Sequence, residues 1–259
     1  MHFFDSHAHY DDCKFEEDRN NILKEIYEKG ITKLITAGYS LESSINALKI
    51  AEEYKFIYTT VGISPNDIQN DIESIKQEIK QLEKLAQNEK VVAIGEIGLD
   101  YHWNTENKEL QKIAFSLQIE LANKLNLPIV IHTREAIQDT LDIIKNVVKP
   151  VKKGVFHCCP LNRELVKEAL KLGFYISFAG PITFKNSKNA DEIIDMVPTN
   201  KMLIETDSPY LSPEPNRGKR NDSRNVKYIA EKIANVKKMD LEEIADITYK
   251  NAMRIFEIH

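Results

Sequence analysis

Eight short apolar runs punctuate this chain, with stretches of helical spacing between them. The runs are His2–Ala8, Ile31–Tyr39, Phe56–Ile63, Val91–Leu99, Pro128–His132, Gly154–Cys158, Phe174–Ala179 and Met202–Thr206. Most are rich in β-branched or aromatic residues and are bounded by polar or turn residues, the pattern of buried strands. The segments between them read as amphipathic helices: Ile72, Ile75, Ile79 and Leu82, for example, recur at helical intervals against a Lys and Glu face. Strands that alternate with helices favour parallel pairing through helical crossovers. Eight such units predict an α/β chain folded as a (β/α)8 TIM barrel. A length of 259 residues suits one such domain, so residues 1–259 are expected to form a single unit. The alternative, an open doubly wound sheet, would hold the first and eighth strands apart.

No low-complexity segment and no linker rich in Pro, Gly or Ser divides the chain. Long loops are expected at Asp100–Glu106 and Ser208–Arg224, after the fourth and eighth strands, on the face that carries function in barrels. Closing helices are expected at Asn225–Val236 and Leu241–Phe256. The cysteines, Cys13, Cys158 and Cys159, are odd in number and two are adjacent, which makes a poor disulfide framework and predicts a reducing cytoplasm. The segment Met1-His2-Phe3-Phe4-Asp5 lacks the features of a signal peptide. The longest uncharged apolar stretch, Phe174–Phe184, is far shorter than the roughly 20 residues that cross a bilayer, so no membrane association is expected. A net charge of -5 argues against a broadly basic surface, and any nucleic-acid contact is expected to be local. No obligate protein partner is readable.

Five of the eight runs end on residue types that bind metal: His7 and His9, Glu96, His132, His157 and Asp207. In a parallel barrel the carboxyl ends of all strands converge on one face, so these residues are expected to share a centre. His7 and His9 stand two apart on an extended strand and therefore point the same way. A lone pair of that kind is equally at home as solvated or hydrogen-bonded core histidines. Asp5, on the same face, is expected either to orient an imidazole or to serve in a cap or ion pair. Glu96 lies inside the apolar run Val91–Leu99, where a carboxylate is costly unless a cation or an ion pair to Arg134 relieves it. His132 and His157 each follow apolar residues, as single core histidines also do. Their shared position at strand ends, together with Asp207, favours the metal reading. His2, His102 and His259 have no such position.

The motifs Asp5-Ser6-His7-Ala8-His9, Gly95-Glu96-Ile97-Gly98-Leu99-Asp100-Tyr101, His132-Thr133-Arg134, His157-Cys158, Glu205-Thr206-Asp207-Ser208-Pro209-Tyr210-Leu211 and Arg217-Gly218-Lys219-Arg220-Asn221 follow one another along the whole chain. In content and order they resemble the TatD-type metal-dependent deoxyribonucleases of the amidohydrolase superfamily. The resemblance implies two divalent ions, one among His7, His9, Glu96 and Asp207 and a second among Glu96, His132 and His157, with Glu96 bridging. It also implies hydrolysis of a phosphodiester in DNA, with single strands or ends attacked as a 3′-to-5′ exonuclease would. Asp207 is then expected as general base and Arg134 as a cation for a phosphate oxygen, the bland alternative being an Arg134 salt bridge to Glu135 or Glu96. Arg217, Lys219 and Arg220 form a dense basic stretch that grips a DNA backbone or, more simply, a solvated face. Trp103, Tyr101 and Tyr210 are candidates to stack on an unpaired base.

The chain also departs from the family pattern. The usual His-Pro-His after the third strand is Ser64-Pro65-Asn66, the Phe-Ser-Gly after His-Cys is Cys159-Pro160-Leu161, and a further usual His is Asn216. These changes spare the six candidate ligands but remove polar contacts to a phosphate. Two alternatives therefore stay open: hydrolysis of a small amide, ester or lactone, and metal binding without catalysis. The ligand types suit zinc or manganese, and the resemblance points to magnesium.

Overall fold

The computed structural model describes residues 1–103 and 105–259; Asn104, in the loop expected at Asp100–Glu106, lies outside the described residues. Eight strands form one parallel sheet in sequence order: β1 (Phe3–Ala8), β2 (Ile31–Ala37), β3 (Ile57–Val61), β4 (Val91–Asp100), β5 (Ile129–Arg134), β6 (Val155–Phe156), β7 (Tyr175–Phe178) and β8 (Met202–Ile204). β8 returns to β1, where Ala8 bridges Ser208 and the His9 and Asp207 amides donate to Ser208 and His7 carbonyls at 2.6 and 2.9 Å. The sheet is thus a nearly closed barrel. The helices are α1 (Arg19–Glu28), α2 (Leu41–Glu53), α3 (Ile72–Leu85), α4 (Lys108–Leu125), α5 (Ile137–Asp142), α6 (Arg163–Lys171), α7 (Ala190–Met196), α8 (Val226–Lys237) and α9 (Leu241–Ile255). No helix among the described residues is long and apolar enough to cross a membrane.

Local chemistry sets several of these boundaries. Ser40, Asp71 and Asn162 start α2, α3 and α6 by accepting the amides of Ser43, Ser74 and Leu165, caps that contribute on the order of 1 kcal/mol each. The strand alternation divides the apolar residues into two sets. Ile131, Phe156, Ile176 and Ile204 turn outward to a large cluster that includes Phe115, Ile119 and Ile233 of the surrounding helices. Phe4, Ile35, Val92, Val130, Val155, Tyr175 and Leu203 turn to the barrel axis, where they pack with Ala252 of α9 and with Phe256 and Ile258 beyond it. Two residues further along several of the same strands the axis becomes polar: Val130 gives way to His132, Val155 to His157, and Leu203 to Glu205 and then Asp207. Close approach of β4 and β5 needs glycine at two points. A Cβ on Gly98 would overlap the His132 carbonyl oxygen, and one on Gly95 would stand 2.5 Å from Val130 Cβ. All three cysteines are free thiols.

Candidate metal centre

The six residues expected as ligands meet at the carboxyl end of the barrel. His7 Nε2, His9 Nε2, Glu96 Oε2 and Asp207 Oδ1 surround one point. His7 Nε2 lies 3.2 Å from His9 Nε2, 3.4 Å from Glu96 Oε2 and 3.7 Å from Asp207 Oδ1; His9 Nε2 lies 3.8 and 3.3 Å from the same two oxygens. Four donors at the usual zinc-to-ligand distances of a tetrahedral site stand about 3.3–3.6 Å apart, so these spacings fit one cation. The other oxygen of Glu96 faces a second group: Oε1 is 3.2 Å from His132 Nδ1 and 3.6 Å from His157 Nε2, and those two nitrogens are 3.2 Å apart. The Arg134 partner considered for Glu96 is absent, and imidazoles occupy its place.

The remaining ring nitrogens show which atoms are free to bind. His9 Nδ1 donates to the Ala37 carbonyl at 2.9 Å, His132 Nε2 to Asp100 Oδ2 at 2.9 Å, and His157 Nδ1 to Glu205 Oε1 at 3.3 Å. Each donation fixes a tautomer and leaves a lone pair on the nitrogen that faces Glu96 or Asp207. Lone pairs and carboxylate oxygens therefore converge in a buried volume, an arrangement that repels itself unless cations or protons intervene. Divalent cations fit that donor set. Protons are the other solution, and the ionisation equilibria carry their imprint. Burial favours neutral His9, yet Asp207 and Glu96 outweigh it and push the imidazole up to about 9. His157 is raised well above its ordinary value against the same burial, chiefly by Glu96. Glu96 and Asp207, which burial alone would raise, are held below the usual carboxylate range by His157 and His9 respectively.

Asp100 and Glu205 are the site residues whose part the sequence did not disclose. Burial tends to raise Asp100, but His132 and the His102 and Trp103 amides hold it down to about 2. Glu205 also accepts the Cys158 amide at 2.6 Å. Same-face spacing was the available signal, since Asp100 stands four residues beyond Glu96 and Glu205 two before Asp207. Asp5 orients no imidazole. It accepts the amide and hydroxyl of Thr206 at 2.9 and 2.6 Å, tying β1 to β8, and burial pushes its carboxyl up to about 7.

A pocket of about 810 Å³ opens over the centre. Arg134, Trp103, Tyr210, Ser64, Asn66 and Pro160 are part of its wall, along with Asp67 and Asp100. Arg134 takes neither carboxylate proposed for it: Glu135 accepts from His102 at 2.7 Å, and the Arg134 guanidinium lies 5.4 Å from the Trp103 ring centroid. Where the usual imidazoles are missing, the Ser64 hydroxyl donates to Asp67 at 2.7 Å and the Asn66 amide approaches Asp100 at 3.4 Å. Arg217, Lys219, Arg220, Asn216 and Tyr101 stand outside this wall. Arg220 forks onto Asp18 at 2.6 and 2.9 Å, Arg217 lies over the Phe184 ring, Asn216 donates to Asn225, and Tyr101 donates to Asp139.

Comparison with known proteins agrees with this geometry. The family described as TatD related DNase matches residues 4–257. The chain is 41% identical over 256 residues to a protein of Bacillus subtilis (strain 168) named "Uncharacterized metal-dependent hydrolase YabD", covering 99% of each chain. It is 35% identical over 261 residues to the protein named "Uncharacterized metal-dependent hydrolase YcfH" of Escherichia coli (strain K12), covering 100% of this chain and 97% of the other. Among solved structures, the TatD homolog YjjV of Escherichia coli K12 superposes with a TM-score of 0.92 at 25% identity, over 99% of this chain and 98% of that one.

Proposed function

The chain belongs to the TatD related DNase family as a metal-dependent hydrolase, and we propose that the bond it cuts is a phosphodiester in DNA, at single-stranded or frayed 3′ ends. The observation that carries this reading is the double role of Glu96, whose two carboxylate oxygens each face a separate set of imidazoles. His7, His9, Glu96 and Asp207 would hold one ion, and Glu96, His132 and His157 the second. When bound, Mg2+, Mn2+ or Zn2+ polarises a phosphoryl oxygen and makes water acidic enough to lose a proton near neutral pH.

The chain's own residues do the rest. Asp207 directs Oδ1 to the point that His7 and His9 also face, and its carboxylate accepts the proton of the attacking water. Asp100, Glu205 and the Ala37 carbonyl keep three imidazoles in the tautomer that leaves the inward nitrogen unprotonated. Arg134 brings a guanidinium to the wall, where it pairs with a non-bridging phosphate oxygen. Arg217 and Lys219, which have no carboxylate partner among the described residues, would meet a strand that extends beyond the pocket, while Asp18 holds Arg220.

One observation favours a second reading. Ser64 and Asn66 put a hydroxyl and an amide where the family pattern has imidazoles, with the Asp67 carboxylate beside Ser64, which suits a small neutral ester, amide or lactone better than a phosphate. Metal-depleted protein supplied with Mg2+, Mn2+ or Zn2+ and offered labelled single-stranded DNA, RNA, a generic phosphodiester and a lactone separates the two. Cleavage of DNA ends is the expected result. Turnover of the lactone alone would select the second reading.

A further inference from the structure

The pocket wall carries an apolar element for which hydrolysis at the metal centre has no need. Trp103, the only tryptophan in the chain, is 70% exposed at the mouth. Its loop is nonetheless tied to the centre: Asp100 Oδ1 accepts the His102 and Trp103 amides at 2.9 and 3.3 Å, while Asp100 Oδ2 accepts from His132. Arg134 stacks on the indole at 5.4 Å, and His102 meets the ring edge-on at 4.8 Å. Of the other aromatics in the wall, Tyr39 is half-buried and meets the His9 ring edge-on at 5.5 Å, and Tyr210 is already engaged, with its hydroxyl on Asp12 and the Lys14 ammonium 4.2 Å from its ring centroid. Trp103 thus offers a wide, open π-surface beside the one Lys or Arg side chain of the wall.

We propose that Trp103 and Arg134 form a nucleotide subsite, in which the indole stacks on an unpaired base of the nucleotide whose phosphate Arg134 holds. The inference rests on the phosphodiesterase reading and narrows its substrate to strands that carry bases with a free face. Such a subsite reads no particular sequence, because every base has a π-face. It disfavours a blunt duplex end, whose terminal bases are already paired and stacked.

The single tryptophan makes the test direct. Metal-loaded protein is titrated with a phosphorothioate-linked single-stranded oligonucleotide, following Trp103 emission with unlabelled strand and anisotropy with end-labelled strand. Emission should change in step with the anisotropy rise. Trp103→Ala should weaken binding of a base-bearing strand roughly tenfold, leave a strand with abasic terminal nucleotides unaffected, and be largely rescued by Trp103→Phe. An anisotropy rise with unaltered emission overturns the inference and leaves the phosphodiesterase reading standing. Equal losses on base-bearing and abasic strands overturn it too, since Trp103 would then serve only to hold Arg134. If no oligonucleotide raises the anisotropy with any of the three metals, both fall.

Discussion

The two halves of the barrel axis are built from the same strands and obey opposite rules. Toward the amino ends, Phe4, Val130, Val155 and Leu203 close the axis with Phe256 from the chain's end. These side chains are satisfied by contact alone, so their requirement is one of shape. Toward the carboxyl ends, residues two positions on are the half-buried His132 and the buried His157 and Glu205, polar groups that need partners of matching charge and direction. Several turns at the carboxyl face are left-handed: Asp207, Cys158 and Glu135 adopt φ values of 56°, 35° and 54° just past β8, β6 and β5. Left-handed backbone is not exclusive to that face, since Asn126 and Lys238 adopt it at the ends of α4 and α8.

The sharpest way to break the comparison is to damage each half and ask what fails. Asp207→Asn keeps the volume of the side chain and should lower turnover by about a thousandfold or more, with an unchanged unfolding midpoint; comparable turnover would remove Asp207 from the chemistry. Phe4→Ala should do the reverse. Emptying the apolar half is expected to cost roughly 3–5 kcal/mol in denaturant unfolding, while activity per folded molecule stays at its starting value.

Much of this division was legible in the sequence, for a physical reason. Parallel strands are buried on both faces, so each left a continuous apolar run, and the ligands stood at the ends of those runs. Helix boundaries were read within a residue at α8 and α9. Strand ends were less legible: Gly154–Cys158 contracts to Val155–Phe156 because Cys158 turns to positive φ. Lateral register was not legible at all. Asp100 meets His132 because Gly98 pairs with His132 across β4 and β5, and a single sequence carries no record of which residues pair across strands. The ion pairs of the basic stretch were illegible for a related reason, since charge density along a chain does not disclose that Asp18 folds back onto Arg220 or that Asp222 and Glu25 hold Arg224.

Register therefore supplies the next prediction. Asp100→Ala removes the acceptor that fixes the His132 tautomer and is expected to weaken metal affinity by about 10- to 100-fold, measured by competition with a chelator. The same loss for Asp67→Ala, which touches no imidazole, would show that charge rather than orientation matters. A smaller effect concerns protons. Because Asp207 and Glu96 push His9 up to about 9 against its burial, that imidazole is charged at neutral pH in the metal-free protein and must lose its proton to bind a cation. Titration calorimetry in buffers of different ionisation enthalpy should find protons released at pH 7, and fewer as pH rises through about 9.

The central claim is that Glu96 joins two ion sites at the polar end of the barrel. Native mass spectrometry of folded protein, wild type and Glu96→Gln, measures it directly. The account predicts two divalent ions per wild-type chain and at most one, weakly held, in Glu96→Gln, with the same charge-state distribution for both proteins. Two tightly held ions in the variant would contradict it.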